Sequence, residues 1–212
     1  MKIGRFITVE GTEGVGKTTN MAFIQQWLQS NNLPFITTRE PGGTPLAEDV
    51  RSLLLSPRQE SVDETAELLL MFAARAQHIA RVIKPALAAG QWVLCDRFTD
   101  ATYAYQGGGR GQPLEKIAQL ETLVQGQLHP DLTLILDLSV EEGLRRAHNR
   151  SAPDRFEQEK QQFFANVRAM YLQRAEQQPQ RCKVIDASES LPQVQDRIGA
   201  VLNQFLASHS HG

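Results

Sequence analysis

Short apolar runs alternate along the chain with longer amphipathic stretches. The runs have the length of strands, and in the stretches apolar residues recur every three or four positions, which is the period of a helix. The predicted strands are residues 6–9, 35–38, 92–95, 132–137 and 183–186. The predicted helices include residues 18–29, 66–89, 114–125, 158–175 and 194–206. This alternation predicts an α/β protein.

The fourth apolar run indicates how the sheet is covered. Residues 134–138, LILDL, are apolar almost throughout, as is typical of a strand with helices on both faces. Together with the β-α-β-α order, this run predicts a doubly wound, parallel, five-stranded sheet. Ligands of such sheets bind at the carboxyl ends of the strands, so the chemistry is expected in the loops that follow the strands.

Composition and charge exclude some classes of protein and leave the predicted fold unchanged. The 212 residues, of which 41% are hydrophobic and 22% charged, suit a single domain over residues 1–212. A net charge of −2 gives no general attraction to nucleic acid or to a membrane surface, and neither partner is expected. No segment is apolar enough to span a membrane, and the N-terminus lacks the pattern of a signal peptide. With only Cys95 and Cys182 there is no disulfide framework, which favours a cytoplasmic location.

The loop after the first strand carries the most specific motif. Residues 11–18, GTEGVGKT, match the Walker A pattern between a strand and a helix. In such a loop, backbone N–H groups and the helix dipole bind phosphate, while Lys17 reaches the β- and γ-phosphates and the Thr18 hydroxyl ligates Mg²⁺. A glycine-rich turn that contains Lys-Thr by chance is the alternative. The candidate ATP-binding residues are Gly11, Thr12, Glu13, Gly14, Val15, Gly16, Lys17, Thr18 and Thr19.

Other motifs indicate which kind of P-loop protein this is. The chain has no Asn-Lys-x-Asp tetrapeptide for guanine recognition and is short for a motor ATPase, so a kinase of a small phosphorylated acceptor is favoured. Asp96 follows the third strand like a Walker B acid near Mg²⁺, and Arg97 beside it can hold an anionic acceptor. None of the five histidines lies in an obvious base arrangement, and a phosphate dianion needs no general base.

Two further groups of arginines are candidates for binding phosphate. Arg39, in the segment REPGG, and Arg51 follow the second strand, although a turn with a solvated arginine would look the same. Arg145, Arg146, Arg150 and Arg155 lie within eleven residues. A basic run is usually a solvated surface, but near a P-loop it predicts a short lid, at about residues 145–157, whose arginines stabilise the transferring phosphoryl group.

The motifs, taken in order, resemble those of the thymidylate kinase family, which converts dTMP and ATP to dTDP and ADP. They are VEGTEGVGKTT, TREPGGTPLAEDVRSLLL, ELLLMFAARAQH, CDRFTDATYAYQGGGRG, HPDLTLILDL and DRFEQE, and they span nearly the whole chain. The resemblance implies a P-loop NTPase-type fold, ATP with Mg²⁺, and a homodimer packed through long helices. A kinase of another nucleoside monophosphate and a non-catalytic nucleotide-binding switch are the alternatives.

The resemblance also implies a role for each matching residue. Glu13 lies by the deoxyribose 3′-hydroxyl and the metal waters, Arg75 donates to thymine O4, and Tyr105 crowds the sugar 2′ position. The implied dTMP-binding residues are Glu13, Arg39, Glu40, Arg51, Phe72, Arg75, Arg97, Thr102, Tyr105 and Gln106. The implied catalytic residues are Lys17, Arg97, Arg150, Arg146 and Arg155, and the implied metal ligands are Thr18 and Asp96.

Two positions depart from the family pattern. Many relatives stack thymine on a Phe four residues before the base-reading arginine, where this chain has Met71. We expect Phe72 to stack instead, because an aromatic face suits a base, although both residues could belong to the core. One branch of the family has an arginine in the P-loop where this chain has Gly14. The resemblance is therefore to the branch with lid arginines, and Arg150 is the first candidate.

Overall fold

The computed structural model describes residues 4–57, 59–147, 155–157 and 159–209. The strands within these ranges are all parallel and form one five-stranded sheet in the order β2-β3-β1-β4-β5. Their bounds are β1 Phe6–Glu10, β2 Phe35–Arg39, β3 Trp92–Asp96, β4 Leu132–Asp137 and β5 Cys182–Asp186. Each predicted strand is present to within one residue at either end.

The helices include two π-helical turns that the apolar period did not predict. The helices are α1 Lys17–Ser30, α2 Pro45–Leu55, α3 Glu64–His78, α4 Lys84–Ala88, α5 Thr99–Thr102, α6 Leu114–Gln125, α7 Val140–Ala147, α8 Gln161–Gln177 and α9 Leu191–His209. The π-helical turns are Ile79–Ile83, between α3 and α4, and Tyr103–Gly109, after α5. The first turn interrupts the predicted helix 66–89, where Pro85 has no N–H to continue the helical hydrogen-bond pattern. None of the described helices is both long and apolar enough to cross a membrane.

Both faces of the sheet are covered by helices, which confirms the doubly wound α/β fold. On one face, Ile7 and Val9 of β1 pack in a cluster with Ile24 of α1 and Ile198 of α9. On the other face, Phe6 packs in a second cluster with residues of the first π-helical turn and α4. Successive residues of β1 therefore serve opposite faces, and this explains why apolar residues are not confined to alternate positions of the strand.

The strand register brings three loops to one end of the sheet. Val9 of β1 lies opposite Asp96 of β3, and Asp96 lies opposite Arg39 of β2. The P-loop, the loop after β2 and the loop after β3 therefore begin side by side at the carboxyl ends of their strands. Such an edge is the usual ligand site of a doubly wound sheet.

Candidate active site

A cavity of about 260 Å³ lies at this edge of the sheet. The P-loop forms one side, and the loops after β2 and β3 together with α2 and α3 form the other. Its lining includes Glu13, Gly14, Val15, Gly16, Lys17, Thr18, Glu40, Pro41, Arg51, Leu55, Met71, Arg75, Asp96, Arg97, Phe98, Ala101, Thr102, Tyr105, Gln106, Ala147, Phe156 and Glu157. The motifs that were separate in sequence therefore meet in one concave site.

In this structure the side chain of Lys17 is hydrogen-bonded to the backbone of the P-loop. Its ammonium group donates to the carbonyl oxygens of Gly11, at 3.1 Å, and Thr12, at 3.0 Å. Burial, followed by the nearby positive charge of Arg97, lowers the pKa of Lys17 to about 8. A polyphosphate bound in the loop would add negative charge beside the ammonium group and favour its protonated form. Binding of an anion in the P-loop should therefore raise the pKa of Lys17.

Gly14 brings the P-loop into direct backbone contact with α7. Its φ of +72° lies in the left-handed region. A Cβ atom at this position would lie only 1.9 Å from the carbonyl oxygen of Gly143. Conversely, a Cβ atom on Gly143 would lie 2.7 Å from the carbonyl oxygen of Glu13. The P-loop and α7 therefore approach each other with no room for a side chain between them.

Arg97 is held toward the P-loop by a strained backbone and a carboxylate. Its φ of +67° is unusual for a residue with a side chain. Its backbone N–H donates to the Val9 carbonyl at 3.0 Å, and its Nη2 donates to Glu13 Oε1 at 2.9 Å. Its guanidinium lies 4.6 Å from the ring centre of Tyr105, whose hydroxyl donates to Glu13 at 2.8 Å. Burial raises the pKa of Glu13, but Arg97 and Lys17 outweigh this effect and hold it below its ordinary value.

The sequence reasoning missed the buried network that supports this loop. Glu10 is fully buried, and its carboxyl accepts from the Phe98 N–H at 2.7 Å and from the Tyr171 hydroxyl at 2.8 Å. Burial, together with the nearby Asp100, raises the pKa of Glu10 to about 8. Asp100 in turn pairs with Arg174. An acid at the end of an otherwise apolar strand was the available sequence signal for Glu10, whereas the partners of Asp100 lie more than seventy residues away.

Arg75 is buried on the opposite side of the cavity. Its Nε donates to Glu40 Oε2 at 2.7 Å, and its Nη2 donates to the Phe98 carbonyl at 3.2 Å and to Thr102 Oγ1 at 2.9 Å. Its Nη1 is buried and has no hydrogen-bond partner in the described part of the chain. Arg75 lines the cavity, and its Nη1 keeps an unused hydrogen-bond donor there.

The structure places Met71, rather than Phe72, at the cavity. Phe72 is 2% exposed, packs with Leu68, Tyr103 and Ile117, and is not among the residues that line the cavity. The expectation that Phe72 presents its ring to the base therefore does not agree with this geometry. The reason is the rotation of α3, which directs the ring of Phe72 toward the π-helical turn Tyr103–Gly109.

Not every predicted arginine reaches the cavity. Arg51 lines it and donates to the Pro41 carbonyl, whereas Arg39 is outside the lining and pairs with Glu48. Arg146 pairs with Glu142, and Arg155 pairs with the buried Glu67; neither lines the cavity. Arg150 lies outside the described residues, as does most of the proposed lid.

Asp96 and Thr18 are suited to a magnesium ion that also contacts phosphate. Asp96 Oδ1 is buried without a hydrogen-bond partner in the described ranges, and Thr18, the second residue of α1, lines the same cavity. No group of three His, Cys, Asp or Glu side chains in those ranges could enclose a metal ion. Mg²⁺ often uses only one or two protein ligands besides water and substrate phosphates, so this pair fits that ion.

A parallel sheet with a Walker A loop, an acid at the end of β3 and an arginine-lined acceptor cavity defines a P-loop kinase of a small phosphorylated acceptor. A family model described as thymidylate kinase matches residues 9–198. The chain is 62% identical over 203 residues to a thymidylate kinase of Teredinibacter turnerae, covering 96% of this chain and 99% of that protein. It is 60% identical over 212 residues to that of Chromohalobacter salexigens, covering 99% and 100%.

A solved structure of thymidylate kinase from Ehrlichia chaffeensis superimposes with a TM-score of 0.74 at 36% identity. The match covers 94% of this chain and 98% of that one. The chain therefore belongs to the thymidylate kinase family.

Proposed function

We propose that this protein transfers the γ-phosphoryl group of ATP to dTMP, giving dTDP and ADP for dTTP synthesis. The observation that carries the proposal is the buried guanidinium of Arg75, a residue that lines the cavity and whose Nη1 has no hydrogen-bond partner in the described part of the chain. An N–H donor at this place matches the O4 acceptor of thymine. In cytosine the same position carries an amino group, which is also a donor and cannot accept from Arg75, so the site favours thymine.

The reaction needs positioning and charge neutralisation more than acid–base chemistry. An oxygen of the dTMP phosphate forms a bond to the γ-phosphorus, while the bond to the β–γ bridging oxygen breaks and its electrons leave with ADP. Arg97 holds the acceptor phosphate in line with that bond, and Lys17 balances negative charge on the β- and γ-phosphates. Arginines of the lid segment, with Arg150 as the sequence-based candidate, add positive charge there.

Thr18 and Asp96 would hold the Mg²⁺ ion, which when bound neutralises charge on the β- and γ-phosphates. On the sugar side, Glu13 and the hydroxyl of Tyr105 already form a hydrogen bond. Both residues line the cavity, and the family resemblance assigns the ring of Tyr105 to the sugar 2′ position, which supports a preference for deoxyribose over ribose.

A homodimer in the cytoplasm completes the proposal. The large apolar side chains of Leu46, Leu69 and Leu123, on α2, α3 and α6, are each more than half exposed. Helix α3 packs against both α2 and α6, so these side chains belong to one helical layer. An apolar layer of this kind suits a two-fold interface between copies of the chain. The mass of the protein in solution tests this part of the proposal.

A panel of monophosphate acceptors tests the activity. We expect kcat/KM for ADP release with ATP, Mg²⁺ and dTMP to exceed that with dCMP, UMP and AMP by at least about 100-fold. The amino group of dCMP would oppose the buried Arg75 donor, and the 2′-hydroxyl of UMP would clash with Tyr105. A coupled assay of ADP measures this release, with ATP alone as the control for hydrolysis. If UMP were as good an acceptor as dTMP, the role of Tyr105 at the sugar would be wrong; if dCMP were as good, the role of Arg75 at the base would be wrong. If no monophosphate were phosphorylated, a nucleotide-binding switch would replace the kinase.

Substitutions at two neighbouring positions of α3 separate binding from folding. Met71→Ala should raise KM for dTMP about tenfold, the effect of losing one apolar contact with the base, and change the free energy of unfolding little. Phe72→Leu should lower the free energy of unfolding by about 1–2 kcal/mol, because it leaves a gap beside Leu68, and change KM little. Steady-state kinetics and urea unfolding measure the two effects. The reverse pattern would return the base-stacking role to Phe72.

A further inference from the structure

A chain of hydrogen bonds, two of them buried, runs from β2 to Arg75. Thr38 Oγ1 lies 2.7 Å from His78 Nε2, and His78 Nδ1 lies 2.9 Å from Glu40 Oε1. The second oxygen of the same carboxylate accepts from Arg75 Nε at 2.7 Å. The side chains of His78, Glu40 and Arg75 are 0%, 4% and 3% exposed. His78 does not line the cavity, so it can influence a ligand only through the residues that do.

We propose that His78 is a positioning residue for base selection. It holds the carboxylate of Glu40 in the orientation that fixes the Arg75 guanidinium, and it thereby sets the direction of the Nη1 donor toward the base. This inference rests on the proposed function, since it concerns how the same cavity distinguishes one acceptor base from another.

The division of the Glu40 oxygens explains why the imidazole matters. Each oxygen has its own donor, so the plane of the carboxylate is fixed at both ends. Without the His78 donor, Oε1 would be a buried acceptor lacking that partner, which is costly. The carboxylate would regain a bond by rotating so that both oxygens face Arg75, because carboxylate and guanidinium match in a two-point pairing.

That rotation would disturb the rest of the guanidinium. Its nitrogens form a rigid planar fork, so a change at Nε also moves Nη2 and Nη1. Nη2 would leave the Phe98 carbonyl and Thr102, and Nη1 would turn away from the place where it meets a base. The arginine would keep its charge and its burial but lose the direction that distinguishes a carbonyl acceptor from an amino group.

The loop after β2 holds the imidazole from the other side. Gly43 has a φ of +85°, and a Cβ atom there would lie 2.5 Å from His78 Cδ2 and 2.6 Å from Thr38 Oγ1. The backbone of Gly43 is therefore packed directly against the pair formed by His78 and Thr38. Because Nδ1 faces a carboxylate, it carries a proton, and in the neutral ring Nε2 then accepts from the Thr38 hydroxyl.

The test compares His78→Asn with His78→Leu. The two replacements have nearly the same size, and both lose the contact with Thr38, but the amide nitrogen of asparagine lies near the position of Nδ1 and can still donate to Glu40. We expect His78→Leu to reduce the preference for dTMP over dCMP, measured as the ratio of kcat/KM values, by about tenfold or more. His78→Asn should retain most of the preference. The loss should appear mainly in KM for dTMP, with kcat at saturation within about threefold of the unmodified protein.

Comparison with dUMP makes the readout specific. Uracil carries the same O4 acceptor as thymine, so the ratio of dTMP to dUMP should stay unchanged in both variants. The inference is overturned if His78→Leu keeps its preference for dTMP over dCMP, or if both variants lose that preference equally, since the latter outcome would reflect lost volume.

If His78→Leu does not fold, His78→Gln replaces it, because its longer amide reaches toward Thr38 and leaves Glu40 without a donor. An unmodified protein that fails to phosphorylate dTMP would refute the proposed function, whereas a selective one with equal variants would refute this inference alone.

Discussion

Replacing Arg97 with methionine should lower kcat for dTMP phosphorylation by about 10³-fold, the size of effect that follows loss of a preorganised group at a transition state. The reason is geometric as well as electrostatic. The left-handed backbone of Arg97 and its bond to Glu13 fix the guanidinium between the P-loop and the acceptor side of the cavity. Methionine keeps the unbranched stem and removes the charge. Initial rates at saturating ATP and dTMP measure the loss.

Two further variants separate the possible causes of that loss. Arg97→Lys keeps a positive charge without the planar fork, so its kcat should lie between those of the unmodified protein and Arg97→Met. Arg39→Met removes a guanidinium that is half-exposed and paired with Glu48, and it should cost less than tenfold. A kcat for Arg97→Met within tenfold of the unmodified value would show that this arginine does not position the reacting phosphate.

Gly14→Ala should both destabilise the fold and abolish tight ATP binding. A left-handed backbone alone costs alanine about 1–2 kcal/mol. At this position the added Cβ also meets the carbonyl oxygen of Gly143 at 1.9 Å, which is backbone and cannot turn aside. The P-loop or the start of α7 must therefore move, and either movement spoils the phosphate cradle. Thermal unfolding and titration with an ATP analogue measure the two effects.

Gly111→Ala is the matched control for this prediction. Gly111 has a φ of +74°, nearly the same as Gly14 at +72°, but a Cβ atom there would meet nothing within 4 Å. Gly111→Ala should therefore show the backbone strain alone, with ATP affinity unchanged. Equal losses of stability in the two variants would mean that α7 yields easily and that the contact with Gly143 is of no consequence.

The parts of this molecule that could be predicted from sequence are those encoded locally. A strand buried on both faces is apolar along its whole length, and a Walker A loop needs its residues within eight positions, so both are visible in a single stretch of chain. Asp96 and Arg97 could be placed for the same reason, because they lie at the carboxyl end of a strand, which the fold brings to the ligand edge of the sheet.

The choice between Met71 and Phe72 could not be made in this way. Both lie on the same side of α3 as Arg75, and a helix period does not determine the rotation of the helix to within one residue. The rotation is set by the packing of Phe72 with Leu68 and Tyr103, and Tyr103 lies 31 residues after Phe72 along the chain. The pairing of Arg155 with Glu67 was hidden for the same reason, since the partners are 88 residues apart.

The backbone contact between Gly14 and Gly143 also limits how the catalytic charge could be rearranged by mutation. The family resemblance implies an alternative arrangement, in which an arginine stands at the position of Gly14 and supplies the charge from the P-loop. In this chain the side chain would point into the carbonyl of Gly143, so no single substitution leads from one arrangement to the other. A variant that carries an arginine in the P-loop would therefore need a changed α7 as well. We expect the sequences of the P-loop and of α7 to change together among related proteins.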